Sequence, residues 1–303
     1  MPICIPRDLP ARQTLESEGI FVIDEHRATT QDIRPLRAAI LNLMPTKIAT
    51  ETQLLRLLGI SPLQVEVDLI QTESYTPKNT PKEYLLKFYT TFSQIRDNRY
   101  DMLIVTGAPV EKMEFSDVAY WDELCEIFRW ADTHVFSSLF ICWGAQAALN
   151  YYYGVPKYDL AGKRFGVFES VPTDLNHPLL RGFSDVFYIP HSHHTEVHQD
   201  DISAVPDLQM LACSEAAGPD LVVSRNMRRI FQLGHIEYDS RTLASEYDRD
   251  RRAGLPIGIP CNYFRNNDPW AGVVNRWRSA ANLFYANWIN TVYQMTPFDL
   301  NQL

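Results

Sequence analysis

The sequence predicts an α/β fold with a mostly parallel sheet and helices on both faces. Three observations carry this. Short apolar runs alternate with segments of helical period through the first half of the chain. With 303 residues, 46% of them hydrophobic, the chain is long enough to bury a sizeable core. One apolar run leads straight into a sharp Cys-Trp-Gly turn and a helix-forming stretch, as strands do at the carboxyl edge of such sheets. The elements follow in order. The chain reads as a single domain spanning 1–303, in which residues 1–35, rich in Pro, Arg and acidic residues, form an irregular N-terminal arm and 36–303 the core. Arg37–Leu43 is a buried strand, and Ile48–Leu58 a helix stopped by Gly59. Gln64–Ile70 alternates apolar and polar residues as a strand. Thr80-Pro81 opens a helix to about Ile95. Asp101–Thr106 is a strand, Trp121–Trp130 a helix and Val135–Ile141 a strand. Phe165–Ser170, Gln209–Cys213, Leu221–Ser224 and Arg229–Leu233 are shorter strands. Arg276–Met295 closes the chain as an aromatic, amphipathic helix, suited to a core or an interface.

Composition excludes several functions. A formal net charge of -9 suits no phosphate backbone, so nucleic acid is not an expected partner. No run approaches the roughly 18 apolar residues of a membrane span. The start M-P-I-C-I-P-R-D lacks the basic and apolar blocks of a signal peptide. Cys4, Cys125, Cys142, Cys213 and Cys261 are odd in number and scattered. That pattern speaks against a disulfide framework or a zinc site and for a reducing, cytoplasmic setting.

Ser138–Tyr151 is the informative segment. It places Cys142 between a strand and a helix, where the helix dipole favours a thiolate and free N–H groups await an oxyanion. The small Gly144 permits a sharp turn. A lone cysteine here would more often be core, but Cys142 has a matching partner downstream. Gly234-His235-Ile236-Glu237 follows another apolar strand. His-x-Glu spacing on an extended segment puts the Glu237 carboxylate on the same side as the imidazole. Nucleophile, base and orienting carboxylate are the parts of an activated thiol. The cluster His191, His193, His194 and His198 lacks the H-E-x-x-H pattern and a clear third ligand, and reads as a substrate-lining loop without metal.

C-x-G-x-Q at Cys142–Gln146, with His235 and Glu237 near the end of the sheet, resembles the class I glutamine amidotransferase-like fold, of flavodoxin-like architecture. That fold usually has Gly two residues before the cysteine; here the position is Phe140, which argues for a variant. The chain resembles the homoserine O-acyltransferase family of methionine biosynthesis, of the homoserine O-succinyltransferase type. The likeness includes N-L-M-P-T-K-I-A-T-E-T-Q from Asn42 to Gln53, V-T-G-A-P-V-E from Val105 to Glu111, and F-I-C-W-G-A-Q-A. It continues with P-H-S at Pro190–Ser192, G-H-I-E-Y-D from Gly234 to Asp239, and W-R-S-A-A-N-L-F-Y-A-N-W-I-N near the end.

The resemblance implies that Cys142 accepts the acyl group, His235 is the base and Glu237 orients it. It places Lys47 and the Trp143 amide near the oxyanion, with Lys47, Lys163, Ser192 and Arg249 against substrate. It also implies no bound metal or prosthetic group, L-homoserine and an acyl-CoA as small-molecule substrates, and a homodimer. Glu111 and Ser192 are expected to set the acyl donor. Glu rather than Gly at 111 goes with acetyl-CoA, because its charge and bulk oppose the terminal carboxylate of succinyl-CoA. A succinyl donor, a glutamine amidotransferase-like hydrolase and a non-catalytic binder are the alternatives.

Overall fold

The structure is a computed structural model that describes residues 3–4, 22–23, 34–75 and 80–303. Most of the expected N-terminal arm lies outside the described residues. Two of its pieces, β1 (Ile3–Cys4) and β2 (Val22–Ile23), pair in parallel.

The core is one ten-stranded sheet in the order β5-β4-β3-β6-β7-β12-β11-β10-β8-β9. Its parallel half comprises β3 (Leu36–Leu41), β4 (Val65–Gln71), β5 (Tyr89–Thr91), β6 (Tyr100–Val105), β7 (Val135–Ile141) and β12 (Arg229–Gln232). The other four strands extend it in antiparallel fashion: β8 (Tyr158–Pro172), β9 (Phe187–Glu196), β10 (Leu208–Ser214) and β11 (Gly218–Ser224).

Helices cover both faces. On one side, α1 (Lys47–Leu58) and α8 (Arg278–Met295) pack on Ala38, Ile40, Met102, Ile104 and Leu139. On the other, α4 (Trp121–His134) and α5 (Trp143–Tyr153) pack on Ala39, Leu41, Leu103, Val105 and Phe140. The central strands are buried on both faces, which is why they read as continuous apolar runs. In α8 the aromatic residues Phe284, Tyr285 and Trp288 are fully buried. They are committed to the core, each contributing about 1.5–3 kcal/mol, and that face is not an interface.

Two expected elements differ. The long helix from Pro81 to Ile95 is α2 (Lys82–Phe88), strand β5, then the single turn α3 (Phe92–Ile95). Tyr89 breaks it: it pairs with Leu69 in the sheet, and its hydroxyl donates to Glu51 and accepts from Asn42 Nδ2. The histidine segment, expected as a loop, is strand β9. Its residues alternate buried His191, His193 and Thr195 with half-buried Ser192, His194 and Glu196. Polar side chains on both faces hid that period of two. Helix α6 (Gln199–Ser203) follows it.

A smaller core of Phe165, Val167, Tyr238, Leu243, Tyr247, Tyr263 and Trp277 lies under α7 (Thr242–Arg252). Trp277 Nε1 donates to the Tyr238 carbonyl at 2.8 Å, and the Tyr263 hydroxyl to the Ser240 carbonyl at 2.5 Å. These contacts fix α7 beside the carboxyl edge of the parallel strands.

Candidate active site

Cys142 is the first residue after β7. It has φ 52° and ψ −116°, in the region that β-carbon-bearing residues avoid at a cost of about 1–3 kcal/mol. Hydrogen bonds on both sides hold it there. Its N–H donates to the Gln232 carbonyl at 2.7 Å, and its carbonyl accepts from the N–H groups of Ala145 and Gln146, each at 3.0 Å. Gly144 is required by close approach: a Cβ there would lie 2.6 Å from the Thr106 carbonyl oxygen and 3.0 Å from that of Val105. The first amides of α5 have no partner within the helix, and its dipole turns positive toward Cys142.

His235 lies beyond β12, where its N–H donates to the Pro190 carbonyl at 2.7 Å. Its Nδ1 meets Glu237 Oε1 at 2.7 Å, and both side chains are buried. The extended geometry expected for this pair is absent. The segment is a turn closed by the Tyr238 N–H on the His235 carbonyl at 3.2 Å, and this turn brings the carboxylate behind the ring. Glu237 Oε2 accepts from Gln232 Nε2 at 2.8 Å, and the same nitrogen donates to the Gly234 carbonyl at 3.1 Å. The imidazole stacks on Tyr238, with centroids 4.1 Å apart and planes at 16°.

Nδ1 is engaged by the carboxylate, and Cys142 lies near enough for its charge to act on the ring. A Cβ on Gly107 would touch both partners, 3.3 Å from Cys142 Cβ and 3.7 Å from His235 Cε1. Burial alone would lower the pKa of His235. The Cys142 and Glu237 charges outweigh it and hold the pKa well above the ordinary histidine value. The imidazolium is the state this environment favours for His235.

Cys142 and His235 open on a cleft of about 750 Å³, within the size range of small-molecule sites. Lys163, Ser192, Arg249 and Glu111 line the same cleft. Arg249 gives its Nε to Asp250 at 2.6 Å, leaving its two Nη groups for an incoming anion. Lys163 lies 3.3 Å from Asp250 and 3.6 Å from Glu246. The Ser192 hydroxyl donates to Glu246, so it is already engaged. Glu111 sits in the turn after β6, tied down by Lys157 Nζ on its carbonyl at 2.5 Å.

Lys47 and the Trp143 side chain are not brought to the cleft. Pro45, Thr46 and Thr50 line the wall there. The Lys47 ammonium is buried, donates to the Asn42 carbonyl and lies over the Tyr89 ring. Burial pulls its pKa down to about 8, against the opposing pull of Glu51. Trp143 is fully buried against Phe115 and Tyr120, so its contribution at the cleft is its backbone.

The histidines part ways. His191 joins His193 at 2.9 Å and Asp220 at 2.8 Å inside the core, His194 reaches the cleft, and His198 stacks on Tyr158. Among the described residues, no group of three His, Cys, Asp or Glu side chains is arranged to hold a metal. Sequence reasoning missed Tyr238, Gln232 and Glu246. Only Glu246 left a signal, standing one helical turn before Arg249.

A family model described as homoserine O-succinyltransferase matches residues 2–298. A homoserine O-acetyltransferase of Acetivibrio thermocellus is 54% identical over 304 aligned residues, spanning all of both chains. One of Geobacillus kaustophilus is 56% identical over 99% of each. Among solved structures, a glutamine amidotransferase from Thermotoga maritima superposes with a TM-score of 0.55 at 13% identity, covering 86% of this chain and 98% of that one. At that identity the likeness concerns the fold, and it agrees with the parallel half of the sheet and its helices. Matched over almost its full length, the chain belongs to the homoserine O-succinyltransferase family.

Proposed function

We propose that the chain is a homoserine O-acetyltransferase of methionine biosynthesis, moving acetyl from acetyl-CoA to the γ-hydroxyl of L-homoserine through a thioester on Cys142. The observation that carries this reading is the meeting of Cys142 with the His235–Glu237 pair at one end of a cleft whose wall holds Arg249 and Lys163. The names of the full-length relatives agree with it.

The chemistry runs in two halves. The Cys142 thiolate attacks the acetyl carbonyl, and the new oxyanion is met by the free Trp143 amide at the start of α5. Collapse breaks the carbon–sulfur bond to coenzyme A, whose thiolate takes the His235 proton and leaves. The thioester remains on Cys142 beside a neutral imidazole. The homoserine γ-hydroxyl then gives its proton to His235 as its oxygen attacks the thioester. Collapse returns the thiolate to Cys142 and frees O-acetylhomoserine. Glu237 orients and steadies the imidazolium in both halves. Arg249 offers a planar pair of donors to the substrate carboxylate.

Glu111 supports acetyl over succinyl: it lines the cleft, and a succinyl carboxylate brought beside it would meet a like charge. Phe140 supports acyl transfer over glutaminase chemistry. It is fully buried against Phe128 and Phe231, and fills a position that glycine usually holds in amidotransferases. No step calls for a bound metal or prosthetic group. The reading includes a homodimer in a reducing compartment, and sedimentation at twice 34.9 kDa checks the assembly. No helix among the described residues is long and apolar enough to cross a membrane.

Intact-protein mass spectrometry after mixing with acetyl-CoA or succinyl-CoA, without homoserine, tests the proposal. An acetyl adduct on Cys142 from acetyl-CoA alone, discharged by homoserine, is expected. A succinyl adduct instead would overturn the donor assignment, and no adduct from either would overturn the mechanism.

A further inference from the structure

We propose that the buried pair His191–Asp220 positions the base: it clamps the Leu233–His235 segment between β9 and β11, and so sets where the His235 imidazole stands against Cys142. This rests on the reading of Cys142 and His235 as nucleophile and base, and gives a task to two buried titratable groups that the mechanism does not use. Both side chains are fully buried, and His191 Nε2 meets Asp220 Oδ1 at 2.8 Å. In the sheet, β10 and β8 stand between β11 and β9. Three steps of about 4.8 Å would hold those strands about 14 Å apart in a flat sheet. The contact therefore shows the antiparallel edge curling back over the loop after β12.

Each half of the pair sits beside a carbonyl that holds the segment. The Asp220 carbonyl accepts from the Leu233 N–H at 2.9 Å. The Pro190 carbonyl, one residue before His191, accepts from the His235 N–H at 2.7 Å. Gly234 between them lies directly on the His191 ring: a Cβ there would be 2.8 Å from Nε2 and 2.9 Å from Cε1. The backbone of the base is thus fixed from both flanks and from below. His235 keeps only its two side-chain torsions, and the Glu237 carboxylate and the Tyr238 ring hold those.

Core packing alone does not call for these residues. His191 Nδ1 meets His193 Nε2 at 2.9 Å, so the ring cannot turn without losing a bond at each nitrogen. Asp220 Oδ2 and His193 Nδ1 have no hydrogen-bond partner among the described residues. Polar groups taken out of water and incompletely paired destabilise a core, and apolar residues of the same volume are often the more stable choice. What the polar chain adds is geometry. Hydrogen bonds fix a distance and an angle, whereas apolar contacts would let the segment slide. A shift of about 1 Å in a reacting group far exceeds what proton transfer tolerates.

The test removes both partners at once. His191→Phe combined with Asp220→Leu keeps the volume and leaves neither partner unpaired, so the urea midpoint should stay near the parental value. Acetyl adduct formation on Cys142 is followed at several acetyl-CoA concentrations, without homoserine. In the double variant the maximal acylation rate should fall by about 10- to 100-fold, while every molecule is acylated in the end and the half-saturating acetyl-CoA concentration is unchanged. His191→Asn, whose amide stops short of Asp220, is the milder break and should show a loss of the same kind. His191→Gln, whose amide N–H reaches the place of Nε2, should recover most of the rate. Parental rates in the double variant, or in His191→Asn should the double variant not fold, overturn the positioning role. So does a loss confined to the acylated fraction, which marks a structural role, or to the half-saturating concentration. If the parent itself forms no acetyl adduct, the acyltransferase reading falls and the positioning role with it.

Discussion

Replacing Glu237 by Gln changes one atom in a buried site and tests how the base is held. The carboxylate now accepts from His235 Nδ1 at 2.7 Å on one oxygen and from Gln232 Nε2 at 2.8 Å on the other. A glutamine amide cannot do both. If its oxygen faces His235, its NH₂ is aimed at the NH₂ of Gln232. If its NH₂ faces His235, the ring must carry its proton on Nε2, the wrong tautomer for taking a proton at Cys142. Turning Gln232 over to relieve the clash gives up its 3.1 Å bond to the Gly234 carbonyl, which braces the turn. The charge that steadies the imidazolium is lost in every arrangement. The change is expected to lower the acylation rate by about 10²- to 10⁴-fold, or about 3–5 kcal/mol of barrier. It should also move the pH dependence. Glu237 is one of two charges that lift the His235 pKa against burial. Without it the imidazolium deprotonates at lower pH. Stopped-flow acylation and the rate of Cys142 alkylation by iodoacetamide across pH measure both effects. A variant with parental acylation and an unshifted alkylation profile would refute the role given to the carboxylate.

Three other changes probe the scaffold and the donor site. Gly144→Ala forces a methyl group to within 2.6 Å of the Thr106 carbonyl oxygen; the overpacking of about 1–3 kcal/mol exceeds the helix gain of about 0.5–1 kcal/mol, so the urea midpoint should fall. Trp288→Ala empties a fully buried site and strips the 3.0 Å bond from Nε1 to Ser137 Oγ, and a loss of about 3–5 kcal/mol is expected in equilibrium denaturation. Glu111→Gly removes the opposing charge from the acyl pocket and should raise the rate of succinyl adduct formation relative to acetyl by about 10- to 100-fold, followed by mass spectrometry.

The parallel half of the sheet was legible because its strands are buried on both faces. Asp101–Thr106 and Val135–Ile141 read as apolar runs and fall within a residue of β6 and β7. Cys142 and His235 were legible for a related reason: each follows such a run, where the edge of a parallel sheet gathers ligands. What stayed hidden depends on contacts distant in sequence. Tyr89 leaves its helix only because Leu69 in the sheet and Glu51 on α1 are there to receive it. Strand β9 exists because nine residues of β8 pair with it, although its own composition is polar. Lys47 stands in a segment that does reach the cleft, through Thr46 and Thr50, yet its own ammonium turns inward to Asn42. Spacing identified the helix and not the direction of that side chain.

The position of the cleft follows from the order of the strands. From β3 the chain steps outward to β4 and β5, then returns to the other side of β3 for β6 and β7. The reversal falls between β3 and β6, and the loops that leave their carboxyl ends diverge there and open a crevice. Met44, Pro45 and Thr46 after β3 form one wall of the cleft, and Gly107 to Glu111 after β6 form another. Cys142 follows β7, the next strand over, and His235 comes from the loop after β12, the next again. Three adjacent parallel strands thus deliver the turn that holds Glu111, then Cys142, then His235, in spatial order. The antiparallel extension and the helix after β12 complete the cleft wall. Strand β8 brings Lys163, β9 brings Ser192, and α7 brings Glu246 and Arg249. The proposed function makes a direct demand on this arrangement: variants at Lys163 or Arg249 should raise the homoserine concentration needed for discharge, whereas variants at Cys142 or Glu237 should slow acylation before homoserine is added.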